Sequence, residues 1–318
     1  MTSTPRPDSV SYSYLGPAGT FTEAALKQVP EAVGAHWKSV NNVGEALDDV
    51  TSGRSIAAMI AIENSIDGGV SATQDALTTT PDIRILGEYL VPVNFVLVAR
   101  PGTTLADVTT VNAHPVAYGQ TRRWLDAQLP QHGYIPASSN VSAAASLLEN
   151  SVADAAVAPP GITEHYPLEV LAENIANNTT SVTRFVLVSS STELPAPTGA
   201  DKTSVIVELP DNAPGRLLEM LEQFATRGVN MSLIESRPIG DELGRYRFVI
   251  DLEGHILDER VADALLGLKR FSPKVIFLGS YPRADKLATM VTPRYGNDVF
   301  VEARDWLRGI VTNEPSAS

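Results

Sequence analysis

Asn177-Asn178-Thr179-Thr180-Ser181-Val182-Thr183-Arg184 runs without a break into the apolar, β-branched stretch Phe185-Val186-Leu187-Val188. The second half reads as a short buried strand closed by Ser189-Ser190-Ser191. The polar half is expected to stay out of the core, where its hydroxyls and amides would lack partners. That places Thr183 and Arg184 at the lip of a sheet, where open α/β folds bind ligands. A hydroxyl beside a guanidinium suits an anionic substrate that must also receive a proton. A loop with an exposed arginine is the plainer alternative.

Three further clusters carry usable groups. Glu63-Asn64-Ser65 closes an unbroken apolar strand over residues 56–62, and a buried strand fixes a carboxylate, an amide and a hydroxyl well. The alternative is a helix cap by Ser65 or Asp67 with Glu63 in solvent. Gly16-Pro17-Ala18-Gly19-Thr20-Phe21-Thr22 lies between a strand and a helix, where backbone N–H groups and a helix N-terminus favour negative charge. A tight turn with Thr22 as N-cap and Glu23 in the first turn reads equally well. The segment lacks the Gly-Lys-Ser/Thr of a phosphate loop and the spacing of a dinucleotide fingerprint. Glu235-Ser236-Arg237-Pro238 ends one strand, and Pro214-Gly215-Arg216-Leu217-Leu218 opens a helix. Strand ends and a glycine-led helix start supply N–H groups for a carboxylate and acceptors for an ammonium. A Glu235–Arg237 edge pair is the alternative and contributes little.

The elements needed to hold these groups form two blocks. Residues 11–190 alternate short apolar runs with helical patterns, an α/β layer structure. Strands are expected at 12–15, 56–62, 83–86, 91–99 and 155–158. Helices are expected at 22–28, after Gly69 to about Leu77, at 120–129 with Arg122, Arg123 and Asp126 outward, and at 141–148. His114, Pro115 and Gln120 fall on a loop before one of these helices. Residues 191–201 have linker composition, with Pro195, Pro197 and Gly199. Residues 202–281 read strand 203–209, helix 214–227 stopped by Gly228, strand 231–238, turn 240–244, strand 245–252, helix 258–268 and strand 274–279. This β-α-β-β-α-β order is the ferredoxin-like split unit. Its uncovered sheet face and edge predict self-association as a homodimer or homotetramer. Residues 1–10 form a polar N-terminus, and the tail 282–318 holds a possible helix with Trp306.

Composition narrows the chemistry. The chain has 318 residues, enough for two domains. Its formal net charge of −13 argues against nucleic acid or an anionic membrane as the main partner. There is no cysteine, which excludes disulfides, thiolate catalysis and Cys-ligated metal. The five histidines are scattered, without metal-ligand spacing. Residues 1–10 carry no apolar signal core and no stretch is long enough to span a bilayer. A cytoplasmic protein is expected.

Taken in order, residues 16–21, Glu63-Asn64-Ser65, Thr183-Arg184-Phe185 and Glu235-Ser236-Arg237-Pro238 resemble the monofunctional prephenate dehydratases with a C-terminal ACT domain. The resemblance covers residues 11–281. It implies decarboxylative dehydration of prephenate to phenylpyruvate, water and carbon dioxide, with feedback inhibition by L-phenylalanine and no cofactor or metal. It implies a two-lobed catalytic domain like the periplasmic-binding-protein folds. One lobe would hold residues 11–88 plus 181–190, the other residues 91–175. By the same resemblance Thr183 is the proton donor, Arg184 pairs with a substrate carboxylate, and Phe185 packs beneath. Glu63 and Asn64 orient groups around the ring. Gly19, Thr20, Ser65, Gln120 and Ser142 bind substrate. Gly215, Leu217, Leu218, Glu235, Ser236, Arg237 and Pro238 bind the effector.

The chain departs from the family pattern at four places. Ala113 replaces a serine before His114-Pro115, Ser181 an asparagine, Ala61 a proline, and Arg216 the alanine of the effector motif. The loss at Ala113 moves any hydroxyl role to a neighbour such as Ser142. Arogenate dehydratase, and a non-catalytic cytoplasmic amino-acid sensor, are the competing readings.

Overall fold

The computed structural model describes residues 10–66, 68–149, 152–240 and 244–312. In chain order its elements are β1 (Ser11–Leu15), α1 (Phe21–Leu26), β2 (His36–Val40), α2 (Val43–Thr51), β3 (Ala57–Asn64), β4 (Gly68–Gly69), α3 (Ser71–Thr79), β5 (Arg84–Pro92), β6 (Val96–Ala99), β7 (Thr110–Ala113), α4 (Pro115–Gln128), β8 (Gly133–Pro136), α5 (Asn140–Ser146), β9 (Ala155–Ala158), β10 (Glu169–Ala172) and β11 (Val182–Ser189). There follow β12 (Asp201–Glu208), α6 (Arg216–Ala225), β13 (Met231–Pro238), β14 (Tyr246–Glu253), α7 (Glu259–Phe271), β15 (Val275–Pro282) and α8 (Asn297–Thr312). The chain folds as two compact units, Met1–Thr73 with Tyr89–Leu187, and Gln74–Glu88 with Val188–Ser318.

The first unit contains two lobes. One is built on the sheet ordered β2-β1-β3-β11-β5, with β4 paired to β3. The other is the five-stranded sheet β10-β6-β9-β7-β8. The chain passes from one sheet to the other between β5 and β6 and returns between β10 and β11. β3 is apolar from Ala57 to Ile62 because it is an interior strand, buried on both faces. Phe185 and Leu187 of β11 pack with Tyr12, Tyr14, Met59 and α1 in the core of the first lobe. Val93, Phe95, Leu97 and Ile175 pack with α4 in the second.

Two local expectations shift. α4 starts at Pro115, with the His114 side chain accepting from the Val116 amide at 3.4 Å. Only His114 precedes the helix, and Pro115 and Gln120 lie within it, so the loop expected there gives way to an earlier start of the helix expected at 120–129. Proline at the first helical position explains the early start. At α1 the cap is Thr20, not Thr22, and its Oγ1 accepts from the Glu23 amide at 3.3 Å.

In the second unit β12 to β15 form an antiparallel sheet of order β13-β14-β12-β15, with α6 and α7 packed on it, the expected βαββαβ module. β13 and β15 are its edges. Gly215 stands at the N-cap of α6 with φ of 90°, a conformation that favours glycine. The turn expected at 240–244 lies largely outside the described residues. Residues 74–88 also belong to this unit. Glu88 pairs with Lys202 at 2.9 Å and accepts from the Ala284 amide, and Arg84 lies over the Phe277 ring.

Candidate active site

β11 begins at Val182, so Thr183 and Arg184 lie within the strand and are buried, 9% and 4% exposed. The expectation that these polar groups stay outside the core fails because each has a partner. Thr183 Oγ1 accepts a hydrogen bond from Asn64 Nδ2 at 2.8 Å. Arg184 Nε lies 2.9 Å from Glu63 Oε2. The backbones join at the same place: the Ser65 amide donates to Val182 O, and Ser65 Oγ accepts from the Val182 amide, both at 2.9 Å. Glu63, Asn64, Ser65, Thr183 and Arg184 are thus brought together by two strand ends far apart in sequence.

Successive residues of a strand leave from opposite faces. Thr183 shares a face with Phe185 and Leu187, which are core residues, and Arg184 leaves from the other. A guanidinium waiting at the lip beside the hydroxyl is therefore not what the fold builds. Arg184 is an inward cation folded onto Glu63, and it holds that carboxylate in place.

Thr183 accepts from Asn64 and, among the described residues, donates to no protein group. One of its two lone pairs is used, and its proton meets no acceptor among the described residues. A cavity of about 290 Å³ lies in this unit, lined by Ile66, Val93, Gly119, Gln120, Ala176, Asn177, Asn178 and Ser181. Two of its lining residues, Ser181 and Ile66, stand two positions from Thr183 and Asn64 in the chain; the pair itself is not part of the lining. Ser181 Oγ is buried with no hydrogen-bond partner. Asn177 clasps α4 from outside: its amide N–H donates to Gln120 O at 2.6 Å, its Nδ2 to Gly119 O at 2.9 Å, and its Oδ1 accepts from the Arg123 amide. That clasp sets Gln120 at the cavity wall. The sequence marks the polar run, but no local pattern in it gives a role to Asn177, Asn178 or Ser181.

The other expected substrate groups lie in local networks. Gly19 N–H donates to Glu23 Oε2 at 2.6 Å, and the Thr20 hydroxyl donates to Leu15 O while capping α1. Glu23 also meets His165 Nε2 at 2.9 Å. Burial, with Glu23 and Tyr166 adding, pushes the Tyr14 phenol up to about 12, so it stays protonated. Ser142 closes a capping box with Ser139 at the start of α5, and its hydroxyl donates to Ser139 O. Its bonds are those of a cap.

In the second unit a cavity of about 470 Å³ is lined by Leu209, Asp211, Asn212, Ala213, Gly215, Arg216, Leu217, Leu218, Leu221 and Phe248. Arg216, the departure from the effector motif, is drawn back by Asp211 at 2.8 Å and Glu219 at 2.9 Å. The Asp211 carboxyl is held below its ordinary value by that guanidinium. Leu217, Leu218 and Phe248 leave the cavity largely apolar. Arg237 is not among the residues of this cavity. It is tied to Asp75 of α3 at 2.6 Å.

Fold and site together define a two-lobed α/β enzyme with a C-terminal ACT module. Residues 12–193 match the family model for prephenate dehydratase, and residues 203–270 match the ACT domain. The chain belongs to the prephenate dehydratase family. It is 39% identical over 303 residues to the prephenate dehydratase of Amycolatopsis methanolica, covering 95% of this chain and 98% of that protein. The crystal structure of prephenate dehydratase in complex with L-Phe from Arthrobacter aurescens is 51% identical, with a TM-score of 0.91 over 95% of this chain and all of that one. A structure described as a novel type of quorum-quenching acylase is 30% identical, with a TM-score of 0.77 over 86% of this chain and 98% of that one.

Proposed function

We propose that this chain converts prephenate to phenylpyruvate and that Thr183 protonates the departing hydroxyl. Loss of carbon dioxide sends an electron pair through the ring and expels the ring hydroxyl. One proton turns that hydroxide equivalent into water, and solvent returns the proton to the donor. Aromatisation drives the reaction, so the protein has to orient the diene and supply that proton. The observation that carries this reading is the polarity of the Asn64–Thr183 bond. The amide donates into the hydroxyl, which leaves the hydroxyl's own proton for the substrate. A threonine is a poor acid, so it acts by hydrogen bonding as charge grows on the oxygen. An acylase would need the opposite arrangement, a base that removes the threonine proton.

In this reading Ser181 and Gln120 contact the substrate side chain from the cavity wall, and Arg184 acts on the site through Glu63. Prephenate supplied to the purified protein should yield phenylpyruvate, followed by absorbance. Near-normal turnover in Thr183→Ala would remove Thr183 from the mechanism. Rates on prephenate and arogenate measured side by side separate those two substrates.

L-phenylalanine is proposed as the inhibitor, bound in the apolar cavity beside Gly215, Leu217 and Leu218. The relative solved with L-Phe supports this. A second copy of the chain is proposed to pair with the free edge of the βαββαβ sheet, in a cytoplasmic enzyme. Among the described residues no helix is long and apolar enough to cross a membrane. Light scattering tests the assembly.

A further inference from the structure

Asp75 is the one carboxylate of α3, and it receives two arginines. Arg237 approaches as a fork, Nε to Oδ1 at 3.2 Å and Nη2 to Oδ2 at 2.6 Å, and Arg247 Nη2 reaches Oδ1 at 3.4 Å. The fork and the third member give this contact a defined geometry that a single surface pair lacks. Arg237 and Arg247 are register partners on β13 and β14, and the next rung pairs Ser236 with Phe248. Phe248 lines the apolar cavity of the βαββαβ module. Neighbours on β14 therefore serve two tasks: Phe248 faces the cavity, and Arg247, on the opposite side of the strand, faces Asp75.

α3 leads in the other direction to the candidate active site. Its first turn, to Thr73, belongs to the first unit, and the rest, from Gln74, belongs to the second. Directly before it, β4 pairs with the end of β3 in the register Glu63 with Gly69 and Asn64 with Gly68. The Val70 amide adds a bond to Ile62 O at 2.8 Å. An unbroken route thus runs from Phe248 and Arg247 to Asp75, along the continuous chain of α3 into β4, and on to Asn64, which holds Thr183.

Two observations mark the Asp75 end as adjustable. Gln74 is fully buried, yet neither atom of its amide has a protein hydrogen-bond partner, and Arg247 Nε also lacks one. Polar groups left unsatisfied beside an ion network hold a contact below its best stability, as an element with two positions requires. The rest of the segment is anchored firmly. Gly279 approaches so closely that a Cβ there would stand 2.5 Å from Ile85 O.

We infer that Asp75 is a positioning residue that transmits the ligand state of the βαββαβ module, through α3 and β4, to the Asn64–Thr183 pair. This rests on the reading of L-phenylalanine as the inhibitor of prephenate turnover, and it assigns Arg237 to transmission rather than to effector contact. Allosteric coupling is a factor between two sites, commonly about 5- to 150-fold, and this contact carries a measurable share of it.

The test is Asp75→Asn in the full chain, with Asp75→Glu as the conservative control. Turnover of prephenate without phenylalanine should stay within about twofold, and calorimetric affinity for phenylalanine within about threefold. Inhibition at saturating phenylalanine should weaken by roughly fivefold or more, and Asp75→Glu should restore much of it. A merely structural role would lower thermal stability and leave the saturating inhibition unchanged, which would overturn the proposal. Loss of phenylalanine binding in Asp75→Asn would overturn it as well. If the variant fails to fold, hydrogen exchange of residues 62–73 in the unmodified protein decides, and unchanged exchange on adding phenylalanine refutes the route. An unmodified enzyme that turns over prephenate but ignores phenylalanine overturns the inhibitor reading and this one together. Intact inhibition in Asp75→Asn overturns this one alone.

Discussion

Arg184 on β11 and Arg237 on β13 each stand near the end of a strand in a short polar motif, the first expected to meet an anionic substrate and the second to bind the effector. Each is instead committed to a carboxylate of another segment, Glu63 for Arg184 and Asp75 for Arg237. They differ in burial. The Arg184 and Glu63 side chains are 5% and 32% exposed, while Arg237 and Asp75 are 23% and 43% exposed. A buried pair is costly to disturb and so acts as a frame. A half-exposed pair is cheap to loosen and so serves as an adjustable contact. The same residue chemistry gives rigidity in one unit and compliance in the other.

Predictions follow from that contrast, the largest first. Thr183→Ala should lower kcat by roughly 10²–10⁴-fold with little change in KM, and Thr183→Ser should keep part of the activity. A rise in KM at unchanged kcat would make Thr183 a binding group only. Next, Glu63→Ala removes one charged partner of the buried Arg184 and should cost roughly 1–3 kcal/mol in denaturant unfolding, moderated because Glu63 is a third exposed. Asp75→Asn should cost under about 1 kcal/mol by the same measurement. Equal costs would erase the distinction between frame and contact. Ser181→Ala should raise KM about two- to tenfold with kcat preserved, the scale of one hydrogen bond. An unchanged KM would leave the buried hydroxyl without a substrate role.

The smallest effect is in pH and salt. The hydrogen bonds from Arg237, against some opposing burial, hold the Asp75 carboxyl below its ordinary value. Because the folded value is the lower one, the stabilisation is complete above the unfolded carboxylate value near about 3.9 and is lost as pH falls through the folded value. Phenylalanine inhibition should therefore stay independent of Asp75 titration from about pH 5 upward, and weaken in high salt, which screens exposed pairs. Inhibition assays across salt concentrations would contradict this if the unmodified enzyme responded no more than Asp75→Asn.

Much of the architecture was legible because pattern and punctuation agreed. β13 reads to the residue, Gly228 stops the helix before it, and the β-α-β-β-α-β order follows directly. β2, β8 and β10 were not legible. All three are edge strands of four or five residues with mixed exposure, so no alternation marks them. β5 runs longer than its sequence suggests, because Gly87 and Glu88 interrupt the apolar run while Glu88 is buried against Lys202.

The sequence by itself determined which side chains are available: a threonine-arginine-phenylalanine run on an apolar strand, an acid-amide-hydroxyl triplet on another, and a ferredoxin-like module after a proline-rich linker. Local composition fixes these, since periodicity, caps and breakers act over a few residues. Only the tertiary structure decided what each group does. Asn64 and Thr183 are 119 residues apart, Asp75 and Arg237 are 162 apart, and no local rule states which donor meets which acceptor across such spans. Burial then converts the pairing into function, because a polar group removed from water must take the partner the fold supplies.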